Sequence, residues 1–321
     1  MAAAALHLPH GLRAAGAPAE PVGAARGGRR RRLRVRGRVP DPGRPAVRPD
    51  RRARPRHRAG SVPVGSSVVH LGPGLPVVLG LLTLLAAGAG RLSGLEQDRP
   101  VVVAALRATV QLAAVSTVLV VVVRSLPLSV GFVLLMVTIA AVTAAGRATG
   151  LPVRAPGAAR RVTTAAVPVV AGATPVVALV LASGTVPLRG AAVIPVAGIL
   201  VGGAMTATSL AGRRLREELA GRRGEVEAAL ALGLVQRDAV LEVARPAAAT
   251  ALVPGLDQTR TVGLVTLPGA FVGVLLGGGS PLEAGAAQLL VLVGLLATQV
   301  TAVWTATELV ARGRLLTGVP R

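Results

Sequence analysis

The sequence contains no cysteine, no lysine and no tyrosine, and it has one tryptophan. Because thiols are absent, the chain forms no disulfide and offers no thiolate ligand for a zinc or iron–sulfur site. All four histidines lie at or before residue 70, so imidazole ligands are missing from the rest of the chain as well. Charged residues make up only 16% of the sequence, against about a quarter in soluble domains. The chain therefore offers few ligands for a soft metal ion. Its low content of charged residues argues against a soluble protein.

Much of the basic charge is concentrated at the N-terminus. Residues 1–60 hold 16 of the 36 arginines and only three acids, with too few large apolar residues to form a core. We therefore predict a disordered, arginine-rich tail over residues 1–65. Three interpretations of it stay open: an arm for nucleic acid or anionic lipid, a translated but unstructured extension, or a reading frame whose true start lies near residues 61–69.

Seven apolar stretches in the rest of the chain are long enough to cross a membrane, which takes about 20 mostly apolar residues. They are residues 71–90, 100–123, 125–146, 162–183, 187–211, 261–279 and 285–306. A further apolar stretch, residues 246–256, is too short to span and is predicted to be interfacial or re-entrant. The predicted fold class is an all-α, polytopic helical membrane protein with about seven transmembrane helices.

Arginines in the connecting segments predict the orientation. Residues 147–161, residues 212–245 and the C-terminal residues 312–321 are rich in arginine, and such segments remain in the cytoplasm. Two spans separate each of these segments from the next, so the assignment is self-consistent. We expect a multi-pass protein of the inner (plasma) membrane with a cytoplasmic C-terminus. The N-terminus would then lie outside, where an arginine-rich tail breaks the rule, and this conflict favours the later start.

The cytoplasmic segment 212–245 has the spacing of an amphipathic helix, which either lies on the membrane or docks into a groove of a partner. Within it Glu227, Ala228 and Ala229 are followed, after three residues, by Gly233. This pattern resembles the EAA loop with which permeases of ABC transporters contact their ATPase. The resemblance implies that these four residues couple the chain to an ATPase.

Further segments resemble one family, the FetB/YbbM-type permeases of ABC transporters, which includes plant aluminium-tolerance permeases. The matching residues are Arg107, Gln111, Leu112, residues 202–206, Ser209, Leu210, residues 261–269 (TVGLVTLPG), Pro281 and Gln288. The resemblance covers about residues 71–312. It implies that residues 66–321 form a transmembrane permease domain with the coupling loop at 212–245.

The resemblance also implies a function and partners. The chain would be a permease subunit, a homodimer in the lipid membrane, that exports iron or another metal. A separate cytoplasmic ABC ATPase would supply the energy, since this chain has no phosphate-binding P-loop motif. We expect no enzymatic activity, no cofactor in this chain, ATP and Mg²⁺ in the partner, and no nucleic acid. Two alternatives stay open: a non-metal solute such as a nucleotide sugar, or a stand-alone secondary transporter.

Several polar or helix-breaking residues are predicted to line or gate the pathway. Arg107 and Gln111 lie one turn apart in the second span, either along the pathway or in a structural pair. Asp257 and Arg260 would gate by pairing and unpairing, or form a boundary salt bridge. The other predicted residues are Met205, Thr206, Gly263, Pro268, Gly269 and Gln288. Gly263, Pro268 and Gly269 are expected to shape a kinked helix that moves, and no metal-ligating or catalytic residue is predicted.

Overall fold

The computed structural model describes residues 72–152 and 154–316. The predicted tail, residues 1–65, lies outside the described residues. Helices make up most of the described chain, and their bounds are α1 Gly74–Leu92, α2 Asp98–Val122, α3 Leu126–Thr149, α4 Ala158–Ala182, α5 Gly190–Gly221, α6 Arg223–Ala231, α7 Gln236–Ala249, α8 Val253–Thr261, α9 Gly269–Leu276 and α10 Pro281–Ala311. Over these ranges the only β-type pairing is an isolated bridge between Val262 and Thr266. The predicted all-α class is confirmed.

Seven helical stretches are long and apolar enough to cross a membrane, as predicted. Six of them are α1 to α5 and α10, and these overlap the predicted spans. Their outward faces carry many exposed leucine and valine side chains. Such faces suit a lipid environment, and the fold is a polytopic helical membrane protein.

The predicted position of the sixth span was wrong. It was expected at residues 261–279, but the sixth stretch is Gln236–Thr261, in which α7, a 3₁₀ turn and α8 follow one another. This stretch also takes in residues 246–256, which were predicted to be interfacial or re-entrant. The chain cannot continue as a helix after Thr261 because Gly263 adopts φ +80° and Pro268 lacks an amide hydrogen.

Small residues let the central helices α3, α4, α5 and α10 approach closely. Ala144, Ala165, Ala204 and Ala302 are fully buried, one on each helix. Gly172 on α4 faces α10 so closely that an added Cβ would lie 2.6 Å from the backbone oxygen of Thr298. Packing of small side chains is a usual source of stability between helices in membranes, where apolar burial contributes little.

Helices α1 and α2 form a hairpin at the edge of the bundle. The turn between them brings Gly90 against Gln97, and α2 meets the rest of the bundle mainly through α3. Most side chains of the hairpin are exposed, and Gly90 and Val122 are the buried residues on its two helices. The hairpin therefore presents a broad apolar surface away from the central helices.

The three arginine-rich segments meet at one end of the bundle. The Arg216 guanidinium on α5 donates to the carbonyl oxygen of Ala148 at the end of α3, at 3.1 Å. Arg237 at the start of α7 pairs with Glu308 near the end of α10. The turn between α2 and α3 lies at the other end, beside Gly190 at the start of α5. We call these the arginine-rich end and the opposite end.

Candidate functional site

The short helix α6 lies at the arginine-rich end, between the fifth and sixth spans. Arg222 interrupts the helix between the end of α5 at Gly221 and the start of α6. The fully buried side chain of Val226 packs into the main hydrophobic core and fixes one face of α6. The other face is exposed.

The four residues predicted to contact an ATPase lie together on α6 and the turn after it. Glu227 and Ala228 are exposed, and Ala229 is half-buried against the core. Gly233 has φ +90°, a conformation that residues with a side chain rarely adopt, so glycine suits this turn. Beside it, Leu232 has 82% of its surface exposed. The structure gathers these residues on one surface, and their contact with an ATPase stays a prediction.

Ion pairs within the chain engage most charges around α6. Arg222 donates to Glu218 and Glu225, and Arg223 Nε lies 2.9 Å from Glu227 Oε1. The hydrogen bonds from Arg222 hold the pKa of Glu225 below its ordinary value, so this carboxylate stays ionised at neutral pH. The charged side chains are therefore engaged within the chain, and the exposed apolar side chains are the groups on this surface without a contact partner among the described residues. The α6 surface, as we name it, consists of Glu227, Ala228, Leu232 and Val235.

A three-membered ion pair joins the sixth and seventh spans beside this surface. Arg237 donates to both carboxylate oxygens of Glu308, at 2.6 and 2.9 Å. Arg312 donates to the same carboxylate at 2.7 Å. A bidentate arginine–carboxylate contact has a fixed geometry, so it holds α7 and α10 in one register.

Replacing Glu308 by glutamine is expected to destabilise the folded chain by about 1–3 kcal/mol, because three charge-assisted hydrogen bonds lose their anionic acceptor. Thermal unfolding of the purified protein in detergent measures the effect. Glu242→Gln is the matched control, since Glu242 is an exposed acid on α7 that has no ion-pair partner among the described residues. Equal melting temperatures for the two variants would show that the ion pair contributes nothing.

Arg107 and Gln111 share one face of α2, as their spacing predicted, but that face is exposed. Within the described chain neither side chain has a hydrogen-bond partner. The structure therefore does not bring them to the other predicted pathway residues. On α5, Met205 is half-buried against the core, whereas Thr206 is exposed on the outer side.

The residues predicted to form a gate lie on α8, which packs through Gly255 against Gln299 of α10. Asp257 and Arg260 form a salt bridge of 3.4 Å on α8, and both are exposed. The segment after α8 is a turn, closed by a hydrogen bond from the Gly263 amide to the Thr266 oxygen at 2.9 Å. The expectation of a kinked helix through Gly263, Pro268 and Gly269 was wrong: Pro268 and Gly269 instead begin the short helix α9. Proline suits this boundary because its fixed φ fits the first turn of a helix.

Polar side-chain atoms without a hydrogen-bond partner are buried between the central helices. The predicted residue Gln288 is 5% exposed, and its side-chain oxygen has no partner among the described residues. The sequence reasoning missed Gln299, Thr208 and Thr298, whose side-chain oxygens are in the same state. Gln299 lies three turns after Gln288 on the same face of α10, and that spacing was the available signal.

Two of the acids near span ends are engaged in structural contacts. Glu283 forms a capping box with Ser280 at the start of α10, and Glu308 joins α7 to α10. Over residues 72–152 and 154–316 no group of three histidine, cysteine or acidic residues is placed to hold a metal ion. The polar atoms in the bundle interior are instead uncharged amides and hydroxyls.

The profile of an uncharacterised protein family, UPF0014, matches residues 76–314. The chain is 40% identical over 159 residues to the UPF0014 membrane protein STAR2 of Oryza sativa subsp. japonica, a match that covers 50% of this chain and 53% of the rice protein. It is 30% identical over 200 residues to the UPF0014 membrane protein YjkA of Bacillus subtilis (strain 168), with 62% and 77% covered. It is 33% identical over 121 residues to the probable iron export permease protein FetB of Escherichia coli (strain K12), with 38% and 47% covered.

The chain spans about half the length of the rice and E. coli relatives that it matches. No solved structure is significantly similar to it. The family profile, however, extends from the first span to beyond the last one, and the described helices supply the membrane spans that the relatives' names imply. The chain therefore belongs to UPF0014, a family of membrane proteins.

Proposed function

We propose that the chain is the membrane permease subunit of an ABC transporter and that a separate cytoplasmic ATPase powers it. The observation that carries this proposal is the α6 surface, where Leu232 and Val235 are exposed in the turn between α6 and α7, outside the membrane spans. The name of the E. coli relative, a probable iron export permease, supports a permease. The proposed substrate class, iron or another metal, follows that relative.

An exposed apolar surface beside paired charges suits docking into a groove. Apolar side chains on a short helix bind a partner by inserting into a complementary hydrophobic groove. Val226 anchors the opposite face of α6 in the core, so the helix is rigid before it binds. A rigid surface loses little entropy on binding and transmits displacement well.

Displacement of α6 reaches the whole bundle through the helices that pack around it. α6 packs against α7, and α7 is tied to α10 by Arg237 and Glu308. The helical stretch Gln236–Thr261 then continues into α8, where Asp257 and Arg260 pair. ATPase closure at α6 would thus separate or close α5, α8 and α10, and the exposed salt bridge would break and re-form as a gate.

The buried oxygens between the central helices suit a passing solute. Amide and hydroxyl oxygens are ligands for oxygen-preferring cations, but they carry no charge and hold a cation weakly. Weak binding is a condition for release and therefore for transport. In the proposed cycle Gln288 and Gln299 face the solute when the helices part.

The proposed assembly contains two copies of this chain and two ATPases in the plasma membrane, with the arginine-rich end in the cytoplasm. A second copy would also shield the outer face of α2. Arg107 on that face costs about 2.5–3.5 kcal/mol when it faces hydrocarbon, so cover by protein is favoured.

Reconstitution tests the function directly. The full chain is placed in liposomes with an ABC ATPase from the same genome, and ATP hydrolysis is measured across a panel of metal ions and nucleotide sugars. We expect hydrolysis to rise several-fold over that of the ATPase alone, most with a metal ion. Stimulation by nucleotide sugars alone would overturn the substrate class. No stimulation, with both proteins folded, would overturn the permease and favour a stand-alone transporter.

A further inference from the structure

A groove between the sixth and seventh spans lies at the arginine-rich end. Its volume is about 230 Å³, and α7 and α10 form its two walls. A second recess of about 330 Å³ shares Arg237, Trp304 and Glu308 with the groove and adds Arg312 and Arg314. The two recesses form one continuous surface, which we call the α7–α10 groove.

The α7–α10 groove changes from polar to apolar along the helices. Its arginines lie near the arginine-rich end, whereas Ala248, Leu252 and Val300 line the part nearer the middle of the spans. From Arg237 to Leu252 the α7 wall rises by about 22 Å at 1.5 Å per residue. This gradient matches a phospholipid, whose charged headgroup lies at the membrane surface and whose acyl chains lie deeper.

The charge of the groove favours an anionic occupant. Arg237, Arg245, Arg312 and Arg314 all line it, and Glu308 is its single acid. Glu308 is already bound by Arg237 and Arg312. Neither of the two remaining arginines has an ion-pair partner within the described part of the chain. Two unpaired guanidinium groups therefore face the groove, and guanidinium binds phosphate through bidentate hydrogen bonds.

Trp304 gives the groove a membrane-interface side chain. It is 69% exposed on the α10 wall, seven residues before the helix ends. Tryptophan concentrates at the level of the headgroups, where its ring contacts acyl carbon atoms and its N–H contacts polar groups. The single tryptophan of the chain thus lies where headgroup and acyl chain meet.

We propose that the α7–α10 groove binds one anionic phospholipid, with its phosphate on Arg245 and Arg314 and its acyl chain along Leu252 and Val300. The bound lipid would occupy the side of the helix pair that Arg237 and Glu308 hold in register. The lipid would then stabilise the same packing that the ion pair maintains. This inference does not depend on the proposed permease function.

The fluorescence of Trp304 tests the proposal without a label, because the chain has no other tryptophan and no tyrosine. The full chain in neutral detergent is titrated separately with phosphatidylglycerol, phosphatidylcholine and inorganic phosphate. We expect a saturable change of emission with phosphatidylglycerol and none with the other two. An equal response to phosphatidylcholine would overturn the charge recognition, and saturation by inorganic phosphate alone would assign the groove to a free anion.

Charge variants localise the binding. Arg245→Gln combined with Arg314→Gln is expected to weaken phosphatidylglycerol binding at least about tenfold, since each arginine near the headgroups adds to the attraction. The matched control is Arg124→Gln combined with Arg189→Gln, which removes two exposed arginines from the opposite end. Equal affinities for the two double variants would overturn the site. Displacement of the lipid by an added ABC ATPase would assign the groove to a protein partner instead.

Discussion

If the proposed ATPase docks on the α6 surface, Leu232→Asp is expected to abolish most of the ATP hydrolysis that the chain stimulates in it. Leu232 directly follows α6 with 82% of its surface exposed, beside the turn that Gly233 makes possible. A leucine that enters a groove is an anchor, and loss of such an anchor costs about 2 kcal/mol or more of binding free energy. Aspartate also brings a charge that loses hydration in an apolar groove. Together these effects predict at least about a 30-fold weaker complex.

The matched control for this prediction is Leu282→Asp. Leu282 is 83% exposed, it is also a leucine near a helix end, and it lies at the start of α10 at the opposite end. Both variants place the same carboxylate on an equally exposed site, so effects on solubility and net charge cancel. ATP hydrolysis is measured as the ATPase is titrated, with unfolding curves to show that both variants fold. Equal losses in both variants, or none in either, would rule out the α6 surface as the docking site.

The positions of six spans and of the amphipathic segment around Glu227 were predictable because their signals are local. A run of about 20 apolar residues forces a helix across the membrane, whatever it packs against. The pattern from Glu227 to Gly233 is likewise local, because it lies within seven consecutive residues. Charged and small residues form the short helix, and a glycine with positive φ follows its end. These features need no knowledge of distant contacts.

The sixth span was not predictable in the same way, because one of its charges is paired with a distant segment. Arg237, Asp238, Glu242 and Arg245 lower the apolar character of α7. Arg237, however, is paired with Glu308, which lies 71 residues later on α10. A hydropathy profile treats Arg237 as an unpaired charge, because it does not include contacts between distant segments. The same profile favoured the apolar residues around Pro268 as the sixth span.

The sequence also did not predict which face of a helix points into the bundle. The spacing of Arg107 and Gln111 correctly put both on one face of α2, but the hairpin leaves that face exposed. On α10 the same spacing rule places Gln288 and Gln299 inside the bundle. Both pairs show the same signal in the sequence, two polar residues spaced by whole helical turns. Only the packing of the other helices decides that one pair is exposed and the other buried.

Gly212→Ala is expected to cause a large loss of stability at the crossing of α3 and α5. Gly212 lies so close to Ala148 that an added Cβ would be 2.9 Å from its Cα and closer still to its Cβ. Both of these atoms belong to Ala148, which is buried and has no flexible side chain that could move aside. The two helices must therefore separate to admit the methyl group. Overpacking of this kind costs about 1–3 kcal/mol, and thermal unfolding in detergent measures it.

Gly131→Ala provides the matched control because it adds the same methyl group to α3, where no atom lies within 4 Å of the new Cβ. Glycine-to-alanine changes at open helix positions are neutral or slightly stabilising, so the control should melt at or slightly above the wild-type temperature. Separation of α3 and α5 at Gly212 would also displace Arg216 from the Ala148 oxygen and shift the adjoining α6 surface. ATPase coupling should therefore fall together with stability in Gly212→Ala and remain intact in Gly131→Ala. Unchanged melting of Gly212→Ala would mean that α3 and α5 cross at a greater distance, with room for a methyl group between Gly212 and Ala148.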